Sequence, residues 1–250
     1  MAHESVTTLR TAPEGPGEHG FVSAMARSAR NHVAGGIFHV TSRGNRQSDI
    51  FLDTIDRQRF LSLLGLTIES ASWKCLSYCL MTNHFHLALA MDKPALSQGM
   101  HWLNGCYAQW FNRRHCLTGH LFEDRFHSEP VDSESHFLEV TRYLPLNPVR
   151  AGLCNHPGQW RWSSYRAMIG RAPRGFVAAD AVLPFFGRAE DTARVVYEAW
   201  VEDGTRRVLS ERVPGTVPGP WPDQPKPYVL GKRSARSRTR RAAGRPTTLR

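Results

Sequence analysis

Two strand-length apolar runs, "WKCLSYCLM" (73–81) and "HFHLALAM" (84–91), are separated only by Thr82 and Asn83. A two-residue connection containing Asn favours a tight β-hairpin, and such a hairpin fixes its own register: Cys79 falls opposite His86. Side chains two apart on a strand share a face, so His84 and His86 point to one side and Phe85 to the other. At ~3.3 Å of rise per residue their Cβ atoms lie about 7 Å apart, a span that two imidazoles can close around one ion. A metal pair and a plain pair of half-exposed strand histidines both remain open on these residues. A zinc site shared with Cys75 and Cys79 fits less well, because four strand residues separate those thiols by about 13 Å, whereas both sulfurs of one site lie ~2.3 Å from the metal.

Around the hairpin the periodicities alternate. "GGIFHVTSRGN" predicts a strand ending in a Gly-Asn turn, and the spacing of Ile55, Phe60, Leu63, Leu64 and Ile68 predicts a helix after it. "LSQGMHWLNGCYAQWFNRRH" predicts a second helix with Ser97 as its cap and Trp102, Leu103, Cys106, Tyr107 and Trp110 along one side. "GHLFEDRFHSEPV" predicts another strand. "DSESHFLEVTRYL" predicts a third helix, capped by Asp132 or Ser133 and stopped by Pro145. The order β-α-β-β-α-β with a further helix points to an α+β fold, a ferredoxin-like antiparallel sheet with helices on one face. "NPVRAGLCNHPGQWRWSSYRAM" should pack against it, and "AEDTARVVYEAWVEDG" should form a helix ended by Gly204.

Four segments follow from this reading. Residues 1–24 form a polar leader expected to be disordered, with a second potential start at Met25. Residues 25–170 form the main domain, 171–205 a small C-terminal helical extension, and 206–250 a Pro-punctuated linker with a basic tail. The formal net charge of +10 is concentrated there: residues 231–250 hold one Lys and seven Arg with no acid, a composition suited to phosphate or to a solvated tail. Five scattered cysteines without a CxxC pair argue against a disulfide framework. No apolar run is long enough to cross a bilayer, so a cytoplasmic protein without membrane association is expected.

A second constellation is "TRYLPLNPVR". On continuous helix Tyr143 and Asn147 would share a face, a hydroxyl beside an amide oxygen. Pro145 stands against that continuity, since its ring removes a donor and clashes with the carbonyl four residues back.

Taken in order, "GGIFHVTSRGN", "MTNHFHL", "FNRRH", "GHLFEDRF", "VDSE", "RYLPLNPVRAGL", "WSSYRAMIG" and "VLPFFG" resemble the REP-associated tyrosine transposases, a branch of the HUH single-strand DNA transposases and nucleases. The resemblance runs from about Met25 to about Gly204, with Thr82 where the family usually has Pro. It implies that His84 and His86 are ligands of a divalent ion, Mg²⁺ or Mn²⁺, that Asn147 is the third ligand, and that Tyr143 is the nucleophile. It implies cleavage and rejoining of single-stranded DNA at hairpin-forming repeats through a 5′-phosphotyrosine, with no nucleotide cofactor, by a monomer or homodimer. A phenol with an ordinary pKa near 10 is about one part in a thousand ionised at pH 7, so the nucleophile would need activation. Arg43, Arg46, Arg113, Arg114, Arg125 and Arg150 are the phosphate-contact candidates, and Trp102, Trp160 or Trp162 could stack on unpaired bases. His39 faces either the metal side or a structural role. The alternatives are a catalytically inactive, sequence-specific DNA-binding relic with Tyr143 displaced by Pro145, and a metal-dependent phosphohydrolase that activates water.

Overall fold

The hairpin forms with the register its sequence dictates. In the computed structural model, which describes residues 36–92 and 95–211, β2 (Lys74–Leu80) pairs antiparallel with β3 (His84–Met91), and Cys79 lies opposite His86. β1 (Gly36–Arg43) lies on the other side of β3, and β4 (His127–Val131) on the outer side of β1. The strand order is therefore β2-β3-β1-β4, with every pair antiparallel. β4 is an edge strand, where Pro130 is tolerated. It is shorter than the sequence suggests: residues 117–126 form a loop that meets the sheet through a bridge from Phe122 to Gly44, a hydrogen bond from the Glu123 amide to the Arg43 carbonyl and the Phe122 ring against Phe85.

Helix α1 (Thr54–Ala71) starts where Asp53 accepts hydrogen bonds from the Ile55 and Asp56 amides. Helix α2 (Leu96–His115) starts at Leu96, one residue before Ser97, with Ala95 in the N-cap position and no side-chain cap. Gly99 of α2 sits where a Cβ would lie 2.3 Å from the Trp73 ring, so only glycine allows this helix its approach to the sheet. That approach turns Met100, Leu103, Tyr107 and Phe111 inward and leaves Trp102, expected on the buried side, 43% exposed.

The expectation of helices on one face of the sheet is corrected. Phe60, Leu64, Leu103 and Tyr107 from α1 and α2 pack with Val40, Phe85, Leu87 and Leu89 in one core. A second core joins Leu76 and Ala88 of the sheet to Phe137, Val140 and Leu144 of α3 (Glu134–Arg150), and to Tyr197 and Val201 of α6 (Glu190–Ser210). β3 makes this arrangement necessary: Phe85, Leu87 and Leu89 fill one side, but Ala88 on the histidine side is also fully buried. A bulge between Cys75 and Ser77 puts Cys75 in the α1–α2 core, while Cys79 pairs with His86, so the two thiols are parted to opposite faces. The zinc reading has no geometry to stand on.

The segment after α3 covers the β2 edge, as expected. Trp160 donates its indole N–H to the Leu80 carbonyl, Ser163 bridges to Cys79, and the Ser164 hydroxyl accepts from the Tyr78 amide at the start of α4 (Tyr165–Met168). α5 (Ala179–Val182) precedes α6. α6 does not end at Gly204 but runs through it to Ser210, past the expected boundary at residue 205. Gly204 serves close packing, since a Cβ there would come within 2.7 Å of Leu146 Cδ1. The expected leader lies outside the described residues, as does the tail beyond residue 211. Among the described residues, no helix is long and apolar enough to cross a membrane.

Candidate active site

His84 and His86 share a face of β3, as their spacing requires, and across the β1–β3 ladder they lie opposite Arg43 and Thr41. Their rings meet edge to face with centroids 5.0 Å apart. Each ring is held by a neighbour. Asn83 Oδ1 lies 2.7 Å from His84 Nδ1, an arrangement in which the imidazole donates. His86 Nδ1 lies 3.0 Å from Nε2 of His39, which enters the same face from β1. His86 is buried, and desolvation, reinforced by His84, His39 and Arg43, pushes its pKa well below the ordinary histidine value. Burial also lowers the pKa of His39, with Glu129 on β4 opposing the shift. Both rings are therefore neutral at pH 7, the state in which an imidazole nitrogen offers a lone pair.

The third helix brings the tyrosine to this face, and it does so in spite of two prolines. α3 does not stop or break at Pro145; it continues through Pro145 and Pro148 to Arg150. Each proline deprives a carbonyl of its helical donor, and in both cases another donor takes the place. The Thr141 carbonyl, four residues before Pro145, accepts from the Tyr197 hydroxyl of α6 at 3.2 Å. The Leu144 carbonyl, four before Pro148, accepts from Asn147 Nδ2 at 3.4 Å. Ser133 is the cap, its hydroxyl accepting from the His136 amide.

With α3 intact, the Tyr143 ring lies 5.8 Å from the His86 ring and 6.0 Å from the His39 ring, both edge to face. Tyr143 is 37% exposed, open enough for a substrate to reach. Arg150, two helical turns on, places its guanidinium 4.6 Å from the centre of the Tyr143 ring. Asn147 lies between them in sequence and is buried; its Nδ2 also donates to the Tyr143 carbonyl at 3.1 Å, so Oδ1 is the end of the amide that these bonds leave unused.

Two imidazoles, a tyrosine and an arginine thus converge on one sheet face, and the sequence compares accordingly: residues 32–146 match the family model of IS200-like transposases. Residues 32–146 correspond to an IS200-like transposase domain. Tyr143, His84 and His86 fall within the matched span, and Asn147 and Arg150 lie just beyond it. A solved REP-associated tyrosine transposase bound to a REP hairpin shares the fold, with a TM-score of 0.50 and 17% identity over 62% of this chain and 92% of that one. A chain from Deinococcus radiodurans assigned as a transposase aligns at 14% identity over 47% of this chain and 95% of its own, with a TM-score of 0.35. No curated protein matches the chain significantly. The resemblance read from the motifs is borne out at the level of the IS200-like transposases, and DNA transposition is the function class.

The arginines of the transposase divide by environment. Arg43 and Arg150 stand at the site. Arg46 is exposed in the turn that follows β1, where it adopts a left-handed conformation (φ 53°) costly for a non-glycine residue. Arg113, in the last turn of α2, and Arg125, in the loop before β4, are exposed, and no contact joins either to the histidines. Arg114 is engaged elsewhere: its guanidinium pairs with Asp53 at 2.6 Å and with the fully buried Asp56, tying the end of α2 to the start of α1. Of the tryptophans, Trp160 is committed to Leu80 and Trp162 stacks with Arg57 and Arg161, which leaves Trp102 as the exposed ring. Two partners escaped the sequence reading. Asn83 stands in the turn beside the first histidine, and its side chain reaches the His84 ring as well as forming the turn. The nearness of Arg150 to Tyr143 could be read from their i, i+7 spacing only by a reader who kept the helix whole through two prolines.

Proposed function

We propose that this transposase is of the REP-associated tyrosine type: it cleaves and rejoins single-stranded DNA at hairpin-forming repeats, with Tyr143 as nucleophile and a 5′-phosphotyrosine as intermediate. The observation that carries the reading is the Tyr143 ring set against His86 and His39 with the Arg150 guanidinium over it. The solved relative is bound to a REP hairpin, which supports a hairpin substrate.

The donor set suits a divalent ion. Where Nδ1 bears the ring proton, toward Asn83 for His84 and toward His39 for His86, Nε2 carries the lone pair that can ligate. The Asn147 amide oxygen would be the third ligand. A divalent ion there, Mg²⁺ or Mn²⁺, would polarise a non-bridging phosphate oxygen and stabilise the charge that builds in the transition state.

The residues of the chain do the rest. The Tyr143 oxygen loses its proton and bonds to phosphorus, the bond from phosphorus to the 3′-oxygen breaks, and the departing oxygen takes up a proton as the strand leaves. Arg150 holds a positive charge beside the nucleophile as it turns anionic. The energy of the broken phosphodiester stays in the phosphotyrosine, so a second strand can be joined without a nucleotide cofactor. Arg43, opposite His84 across the β1–β3 ladder, and Arg46, in the turn that follows β1, would contact the substrate phosphates. The inactive-relic alternative drew its motive from a helix broken at Pro145; the continuous α3 is better suited to activity.

The test is to incubate the protein with labelled, hairpin-tailed single strands and Mn²⁺ and look for an SDS-resistant protein–DNA adduct. Wild type should form it and Tyr143→Phe should not. Binding without an adduct would point to the relic, and cleavage that survives Tyr143→Phe to the phosphohydrolase.

A further inference from the structure

A hydrogen bond between two neutral imidazoles holds a single proton, and its position decides which nitrogen of each ring is left basic. Nε2 of His39 and Nδ1 of His86 are 3.0 Å apart, so one of them carries the hydrogen. If it sits on His39 Nε2, then His86 accepts through Nδ1, carries its own hydrogen on Nε2, and presents a donor where a ligand is needed. If it sits on His86 Nδ1, then His86 Nε2 is a lone pair and His39 holds its remaining hydrogen on Nδ1. The surroundings of His39 favour the second arrangement. Its direct neighbour across the β1–β4 ladder is Glu129, whose negative charge acts on the His39 ring and favours an N–H on the outer side of it. Besides His86, the other titratable groups facing His39 are His127 of β4, His136 of α3 and the Tyr143 ring, and none of them carries the fixed negative charge that Glu129 does.

The counterpart on His84 has the same form. Asn83 presents an amide oxygen to Nδ1 at 2.7 Å, an acceptor that puts the hydrogen on that nitrogen. Both histidines of the pair are thus held by the same ring atom, one by an amide and the other by a third imidazole. Such a partner on the far ring nitrogen sets the tautomer and ring angle of a metal-binding histidine.

We propose that His39 is a positioning residue of the transposase, which accepts a hydrogen bond from His86 Nδ1 and thereby presents His86 Nε2 to the divalent cation. The inference rests on the reading of His86 as a metal ligand, and two separate measurements keep the two claims apart.

The first measurement needs no metal. In protein labelled with ¹⁵N-histidine, long-range ¹H–¹⁵N correlation at neutral pH reports which ring nitrogen bears the proton. His86 should be in the Nδ1–H form in wild type, should keep that form in His39→Gln, whose amide oxygen can accept the same hydrogen bond, and should lose it in His39→Phe, which fills space but accepts nothing. His86 found as the Nε2–H form in wild type would overturn the proposal. The second measurement is Mn²⁺ affinity by electron paramagnetic resonance titration. His39→Phe should bind Mn²⁺ about 10- to 100-fold more weakly than wild type, with most of the affinity kept in His39→Gln. Equal affinity in wild type and His39→Phe would overturn it too, and equal loss in Gln and Phe variants would reduce His39 to packing. Failure of the underlying metal reading has a different signature: wild type would take up no more Mn²⁺ than His86→Ala does, whatever the tautomer.

Discussion

Tyr197→Phe removes one oxygen atom from the core and should weaken the helix that carries Tyr143. Tyr197 is 1% exposed, and its hydroxyl is the donor to the Thr141 carbonyl, whose helical donor is missing because residue 145 is proline. Phenylalanine keeps the ring and its packing between α3 and α6. What is lost is the partner of a buried carbonyl, which costs about 1–3 kcal/mol when the carbonyl has no substitute. Equilibrium urea unfolding should show a lower midpoint with unchanged slope. The attribution can be tested with Pro145→Ala, which restores the backbone N–H that α3 would otherwise direct to Thr141. In that background Tyr197→Phe should cost less than in wild type, by about 1 kcal/mol. The same cost in both backgrounds would refute the argument that α6 replaces the bond Pro145 deletes. Adduct formation by Tyr197→Phe should fall as well, since the Tyr143 turn follows immediately upon Thr141.

Arg114→Ala should lower the melting temperature without weakening affinity for single-stranded DNA, because its guanidinium is paired with Asp53 and Asp56 rather than turned to a substrate; a loss of DNA affinity at constant stability would restore it as a phosphate contact. That pairing first, with the amides of Asp56 and Ile55 also contributing, holds the Asp53 pKa down at about 2. A depressed carboxylate stabilises the fold above its unfolded value near 4 and ceases to do so as pH falls through about 2. The stability difference between wild type and Arg114→Ala should therefore shrink across that acid window, as measured by urea unfolding at a series of pH values. Gly204→Val should destabilise the protein by about 1–3 kcal/mol through overpacking against Leu146 and Arg142, and a neutral result in thermal melts would mean that α6 sits farther from α3. Imidazole ligands suit Mn²⁺ better than Mg²⁺, so adduct formation should be faster with Mn²⁺, and equal initial rates with the two ions would count against the His84–His86 site.

The residues whose partners lie nearby in sequence were legible without coordinates. Two residues between two apolar runs set the hairpin register, and that register put His84 and His86 on one face with Cys79 opposite His86. Ser133 was readable as a cap because capping is satisfied three residues away. The alternation of strand and helix periods gave the β-α-β-β-α-β order, since each period is a local property of the chain.

What the tertiary structure alone decided were the cases in which a local deficit is met from a distance. Pro145 ends a helix by every local rule, yet α3 continues because a hydroxyl 56 positions beyond Thr141 supplies the missing donor. Gly204 looks like a helix end until Leu146 and Arg142 occupy the space its side chain would need. Arg114 looks like a phosphate ligand until Asp56, buried without it, claims its charge. His39 acquires a meaning only when β1 lies beside β3. Backbone periodicity is written into neighbouring residues, whereas the pairing of a buried polar group depends on whichever chain segment folds against it.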